Sequence, residues 1–201
     1  MIFLTIKLQA GGKVMRFEIE RGCFGYIKKK KKRQIFLILL FMVIAVVMFV
    51  TGLLLNKFNR ANICTVLSIL MVLPMTKMLV TYIVLFPYKT VPKETYDKVN
   101  DAAGENAVVM ADMVITSPDK PMNLDFVIIT DNQVIGMLGR KKQDIAYIEN
   151  FLKESLKTNK IEGFTVKIFD DYKPFLNCIT REYEKTEKQE ECFKYIRTLV
   201  V

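Results

Sequence analysis

Residues 34–55 read QIFLILLFMVIAVVMFVTGLLL, twenty-two positions without a charge. As a helix rising about 1.5 Å per residue the run covers ~33 Å, enough to cross a hydrocarbon core about 30 Å thick. A second apolar stretch, residues 62–86, follows the short polar connection NKFNRAN. Backbone N–H and C=O groups cannot stay unpaired in lipid, so both stretches are expected to be helices forming an antiparallel hairpin. A cleaved secretory signal is the rival reading of the first stretch. Its apolar core would be shorter, roughly 7–15 residues, and would end in a small-residue cleavage site.

The formal net charge is +9, and its distribution matters more than its size. Residues 1–33 carry ten basic and two acidic side chains, residues 34–88 three basic and none acidic, and residues 89–201 seventeen basic and nineteen acidic. A slightly acidic C-terminal part lacks the footprint of a protein that grips phosphate backbones, so no nucleic-acid partner is expected. Lys28, Lys29, Lys30, Lys31, Lys32 and Arg33 stand directly before the first apolar stretch, and the connection offers only Lys57 and Arg60. The positive-inside rule then places the N-terminus in the cytoplasm, and two crossings return the C-terminal part to the same side. These six cations are the expected membrane-surface residues, each worth about 1 kcal/mol beside anionic lipid headgroups.

Lys77 lies inside the second stretch, three residues after Pro74. An ionisable residue within a membrane span is a functional hypothesis by default. Counted from the connection it stands roughly 22 Å deep, close enough to the cytoplasmic interface for its ammonium to snorkel there. The competing role is a polar contact inside an oligomer. Pro74 is expected to kink its helix.

Residues 1–20 alternate around Gly11-Gly12 in the manner of a β-hairpin. A second expectation competes with that one. The string Ala10-Gly11-Gly12 can be encoded as GCAGGAGGT, a ribosome-binding purine tract, with Met15 two codons further on. Residues 1–14 would then be untranslated, and an intact mass that includes them would end the idea.

Beyond Pro87 and Pro92 the pattern becomes that of an α+β domain over residues 89–201, following a basic segment 1–33 and a hairpin 34–88. Residues 95–103 suit a short helix stopped by Gly104. Residues 107–116 and 124–130 suit strands, the latter turning through Asp131-Asn132-Gln133 into a partner at 134–138. Ile145, Ile148, Phe151, Leu152 and Leu156 form a helical stripe. A strand over 164–169 and a helix from Tyr172 complete the order α-β-β-β-α-β-α. Asp170-Asp171, between that strand and that helix, suits a helix cap.

The chain has no histidine, which removes Ser-His and Cys-His nucleophiles and imidazole-ligated zinc. Its four cysteines, at 23, 64, 178 and 192, include no C-x-x-C pair, and no phosphate-cradling glycine loop occurs. Neither a cofactor nor catalysis is expected.

Two resemblances bear on this reading. Asp125 in the strand LDFVIIT, a turn, and then Val134-Ile135-Gly136-Met137 resemble the central hairpin of restriction-endonuclease-like, nuclease-related domains. That resemblance implies an Asp on one strand and a Glu-x-Lys on the next, binding a divalent metal and orienting water. Asp125 matches the Asp, but Leu138 falls at the Glu and Arg140 at the Lys. An apolar side chain offers no metal ligand, and a guanidinium does not exchange protons. Asp112, Asp119 and Glu105 are the nearby carboxylates that would have to complete such a site. From Gly25 onward the chain also resembles two-span bacterial membrane proteins with GYIKKKKKR-type flanks and a small cytosolic α/β domain. That implies a multi-pass protein of the bacterial cytoplasmic (inner) membrane with both termini cytoplasmic.

The function expected from these readings is that of a membrane-tethered binding or regulatory module. Its expected partners are the lipid bilayer and either a second copy or a larger membrane protein, met through Gly52 or Lys77. The alternatives are a metal-dependent nuclease built around Asp125 and an oligomeric pore or transport subunit using Lys77.

Overall fold

The computed structural model describes residues 21–55, 63–140, 143–181 and 183–201. Both expectations for the N-terminal residues, the hairpin over 1–20 and the start at Met15, lie outside the described residues. The chain is α+β, with two helical rods long and apolar enough to cross a membrane and a four-stranded mixed sheet.

The first rod, α1 (Tyr26–Leu55), begins earlier than the apolar run and takes the six cations into its first two turns. Lys28 to Arg33 are therefore helical and continuous with the apolar stretch, not a separate leading segment. The second rod is α2 (Ile63–Leu70) and α3 (Val72–Leu85), interrupted at Met71. The interruption falls next to Leu70, four residues before Pro74. A proline ring clashes with that i−4 carbonyl and supplies no N–H to it. Gly52 on α1 and Ser68 on α2 are buried, while most apolar side chains of both rods are exposed.

After the rods come α4 (Lys93–Ala103), β1 (Val108–Thr116), β2 (Pro121–Ile129), β3 (Gln133–Leu138), α5 (Ile145–Thr158), β4 (Thr165–Phe169), α6 (Tyr172–Ile179) and α7 (Glu187–Leu199). Gly104 ends α4 at φ 73°, a left-handed conformation that favours glycine. Asp144 caps α5 by accepting from the Tyr147 N–H. The helix expected from Tyr172 is two helices. Thr180 ends α6, and Thr186 with Gln189 forms a capping box that starts α7 afresh. Asp171 does occupy the N-cap position of α6, but its side chain makes no capping hydrogen bond.

The sheet order is β1-β2-β3-β4, with β1–β2 and β2–β3 antiparallel and β3–β4 parallel. Helix α5 makes the crossover that a parallel pair requires. One face of the sheet is covered by α5 and α7, the other by α4 and α6. The outer edge of β1 is closed by both flanks of the chain. Ala111 donates to the Gly22 carbonyl at 2.9 Å and Val201 to the Val114 carbonyl at 3.0 Å. Closing an edge in this way removes a template for unwanted strand pairing.

The rods are not hung from the sheet by a linker. Tyr26 and Ile27 of α1 and Leu85 of α3 are at most 1 % exposed, inside the same apolar cluster as Met110, Leu124 and Ile196.

Candidate functional site

Polar side chains gather where the rods meet the sheet. The first turn of α1 contains no acidic residue, although the unpaired N–H groups there form a partial positive charge. That charge is answered from a distant strand. Asp112 of β1 is 1 % exposed and holds φ 55°, a left-handed conformation uncommon outside glycine. Such a backbone costs of order 1–3 kcal/mol and persists where surrounding contacts over-determine it. Oδ1 of Asp112 accepts from the Val91 N–H at 2.9 Å. The Thr90 hydroxyl and the peptide N–H groups of Gly25 and Ile27 also favour its charged form. Burial outweighs them and holds the carboxyl above its ordinary range. Oδ2 is buried without a hydrogen bond of good geometry. The next N–H of α1, that of Lys28, donates to Thr90 Oγ1 at 3.2 Å.

The opposite charge stands at the end of the second rod. Lys31 Nζ donates to the Phe86 carbonyl at 2.9 Å and also to that of Tyr88. A cation there satisfies carbonyls that a helix C-terminus leaves open. Lys30 instead sits 5.6 Å from the Tyr26 ring centroid. Arg140 donates to the Pro87 carbonyl and lies 5.0 Å from the centre of the Tyr88 ring. Tyr26 donates its hydroxyl proton to the Val201 carbonyl. Every cation of the run looks alike in sequence, and the structure gives them different tasks.

Asp125 lies directly across from Asp112, between the pairs Ala111–Phe126 and Met113–Leu124. It is also the extra residue of a bulge against β3, where Leu124 pairs with Leu138 and Phe126 with Met137. Burial raises its carboxyl above the ordinary range. The Asn123 amide, 3.3 Å away, lowers it, and the Asp112 charge raises it further. Asn123 is itself clamped through its backbone by Gln143, whose side chain accepts from its N–H at 2.8 Å and donates to its carbonyl at 2.9 Å. Of the carboxylates near Asp125 in sequence, the structure thus brings Asp112 to its side. Asp119 is in the β1–β2 turn accepting from the Tyr147 hydroxyl, and Glu105 is exposed after α4. Leu138 is buried in the core and Arg140 is turned to Pro87. No group of three His, Cys, Asp or Glu able to hold a metal occurs among the described residues.

Lys77 is exposed on α3, and Pro74 and Met78 beside it are half-buried. Cys192 is buried and its thiol is pushed up to about 12, which makes it a packing residue rather than a nucleophile. No sequence motif marks Asp112 as the partner of α1, nor Thr90, Tyr88 and Gln143 as further members of this junction. A signal was available for one of them, since a lone acid inside an apolar strand needs a partner.

Between the first turns of α1 and residues 88–91 lies an open cleft of about 660 Å³, lined by Phe24, Ile27, Lys28, Lys29, Lys89 and Thr90 among others. No carboxylate lines it.

The chain matches no protein-family model, no curated protein and no solved structure.

Proposed function

We propose that this chain is an integral protein of a bacterial cytoplasmic membrane, with both termini cytoplasmic. Its α+β domain acts as a binding or regulatory module held against the membrane surface. The observation that carries this reading is the shared core. Tyr26, Ile27 and Leu85 belong at once to the apolar rods and to the sheet's packing, so a displacement of either rod is transmitted to β1 and β2. A simple tether would need only a flexible linker. Rods built into the sheet suit a module whose state depends on the membrane or on a membrane partner.

The test combines extraction with labelling. Membranes washed in alkaline carbonate should retain the chain. In a Cys64→Ser background, an impermeant thiol reagent should label Asn59→Cys from outside intact cells and Cys23 only after permeabilisation. Release into the wash would sink the membrane assignment, and the reverse labelling would sink the orientation.

The nuclease reading has one observation in its favour, the second carboxylate that Asp112 sets beside Asp125. Against it, Asp112 is engaged with Val91 and α1, and Leu138 and Arg140 stand where a metal ligand and a lysine belong. Mn²⁺-dependent DNA cleavage by the purified chain, lost in Asp125→Ala, would replace the module reading with this one.

A further inference from the structure

We propose that the basic cleft beside α1 is a stoichiometric site for the phosphate headgroup of an anionic lipid, a proposal that rests on the membrane reading above. A polybasic run ordinarily attracts anionic lipids as a diffuse charge, each cation adding about 1 kcal/mol whatever its position. Here the run is divided. Lys31 is spent on the Phe86 and Tyr88 carbonyls and Lys30 on the Tyr26 ring. Lys28, Lys29 and Lys89 line one cleft, which Lys31 shares, and no salt bridge engages Lys28, Lys29 or Lys89 among the described residues.

Three features fit a lipid phosphate in particular. Lysines from two separate segments line one volume, as a tetrahedral anion with several acceptor oxygens requires. The volume, about 660 Å³, is of the size that holds a small-molecule headgroup. Its depth is also right, since Lys29 precedes Ile35, where the apolar run begins, by six residues, about 9 Å along the axis. A phosphate held there leaves its acyl chains beside the exposed apolar side chains of α1, among them Ile35, Phe36 and Leu39. Phe24, Ile27 and Val91 supply apolar wall for the glycerol end.

The test uses the full chain, purified in detergent and examined by native mass spectrometry with phosphatidylglycerol, phosphatidylcholine or inorganic phosphate added. The expected result is one phosphatidylglycerol retained per chain, at least tenfold over phosphatidylcholine. Lys29→Gln/Lys89→Gln should lose that retention about tenfold, whereas Lys32→Gln, exposed and outside the cleft, should keep it. Thermal melting of each variant without lipid verifies that it is folded. If the double variant fails that control, Lys89→Gln alone is read in its place. Equal losses in the cleft variant and the Lys32→Gln control would mean diffuse charge and overturn the site. Displacement of the lipid by millimolar inorganic phosphate would assign the cleft to a free anion and overturn the lipid as its occupant. The carbonate wash separates the two failures. A chain that stays in the membrane but shows no selective retention loses only this site, whereas a chain that washes out loses the membrane reading itself.

Discussion

Two carboxylates face each other across β1 and β2, and each is held above the ordinary carboxyl range, chiefly by burial. A raised folded-state value means that the native state binds the proton more tightly than the unfolded chain does. Stability therefore falls as pH rises from the ordinary carboxyl value through the folded one. Asp125→Asn removes one of these charges and retains an oxygen to accept from Asn123. It should be more stable than the parent at neutral pH, and the advantage should shrink as the pH is lowered into the acid range. Urea unfolding at several pH values measures this, and a difference that does not change with pH would refute it. Gly139 offers a second test at the same corner. A Cβ there would lie 1.6 Å from the Asn123 amide nitrogen and 2.4 Å from Asp125 Oδ1. Gly139→Ala should cost about 1–3 kcal/mol through forced displacement of both side chains. A midpoint unchanged in urea would show that the corner yields freely.

At the scale of elements, the junction is two helix ends satisfied from elsewhere in the chain. Asp112 answers the N-terminus of α1 and Lys31 the carbonyls that follow α3. Two substitutions at Asp112 separate charge from hydrogen bonding. Asn tolerates the left-handed backbone and still accepts from Val91, whereas Ala does neither. Asp112→Ala should cost about 0.5–2 kcal/mol, the range for losing a helix cap. It should also speed amide exchange at Val91 and Ile27, with Asp112→Asn in between. Unchanged exchange at Val91 in the alanine variant would show that the cap carries nothing. Much at this scale was legible in advance. The stripe from Ile145 to Leu156 became α5, and Gly104 ended α4. The division of the last helix at Thr180 was not legible, because residues 181–191 are charged enough to suit an exposed helix and the capping box at Thr186 is a weak local signal.

For the whole molecule, the shared core has a direct consequence for any soluble fragment. Residues 90–201 alone would lack Tyr26, Ile27, Leu85 and Tyr88, all buried against the sheet. Each large apolar side chain contributes roughly 1.5–3 kcal/mol on burial, while a domain's whole stability is about 5–15 kcal/mol. The fragment should therefore show no cooperative thermal transition, and a sharp melt at the full chain's temperature would contradict the shared core. The two apolar helices, the alternation of helix and strand and the strands' apolar faces were all readable from residue order, because hydropathy and periodicity act over a few neighbouring residues. Long-range packing alone makes the rods and the sheet one body, brings Asp112 to α1 and sets Asp125 beside it across the β1–β2 ladder. Those contacts join positions far apart in the chain. Lys28 to Thr90 spans 62 positions and Tyr26 to Val201 spans 175. No local pattern encodes such partners, since each is chosen by the geometry that brings the segments together.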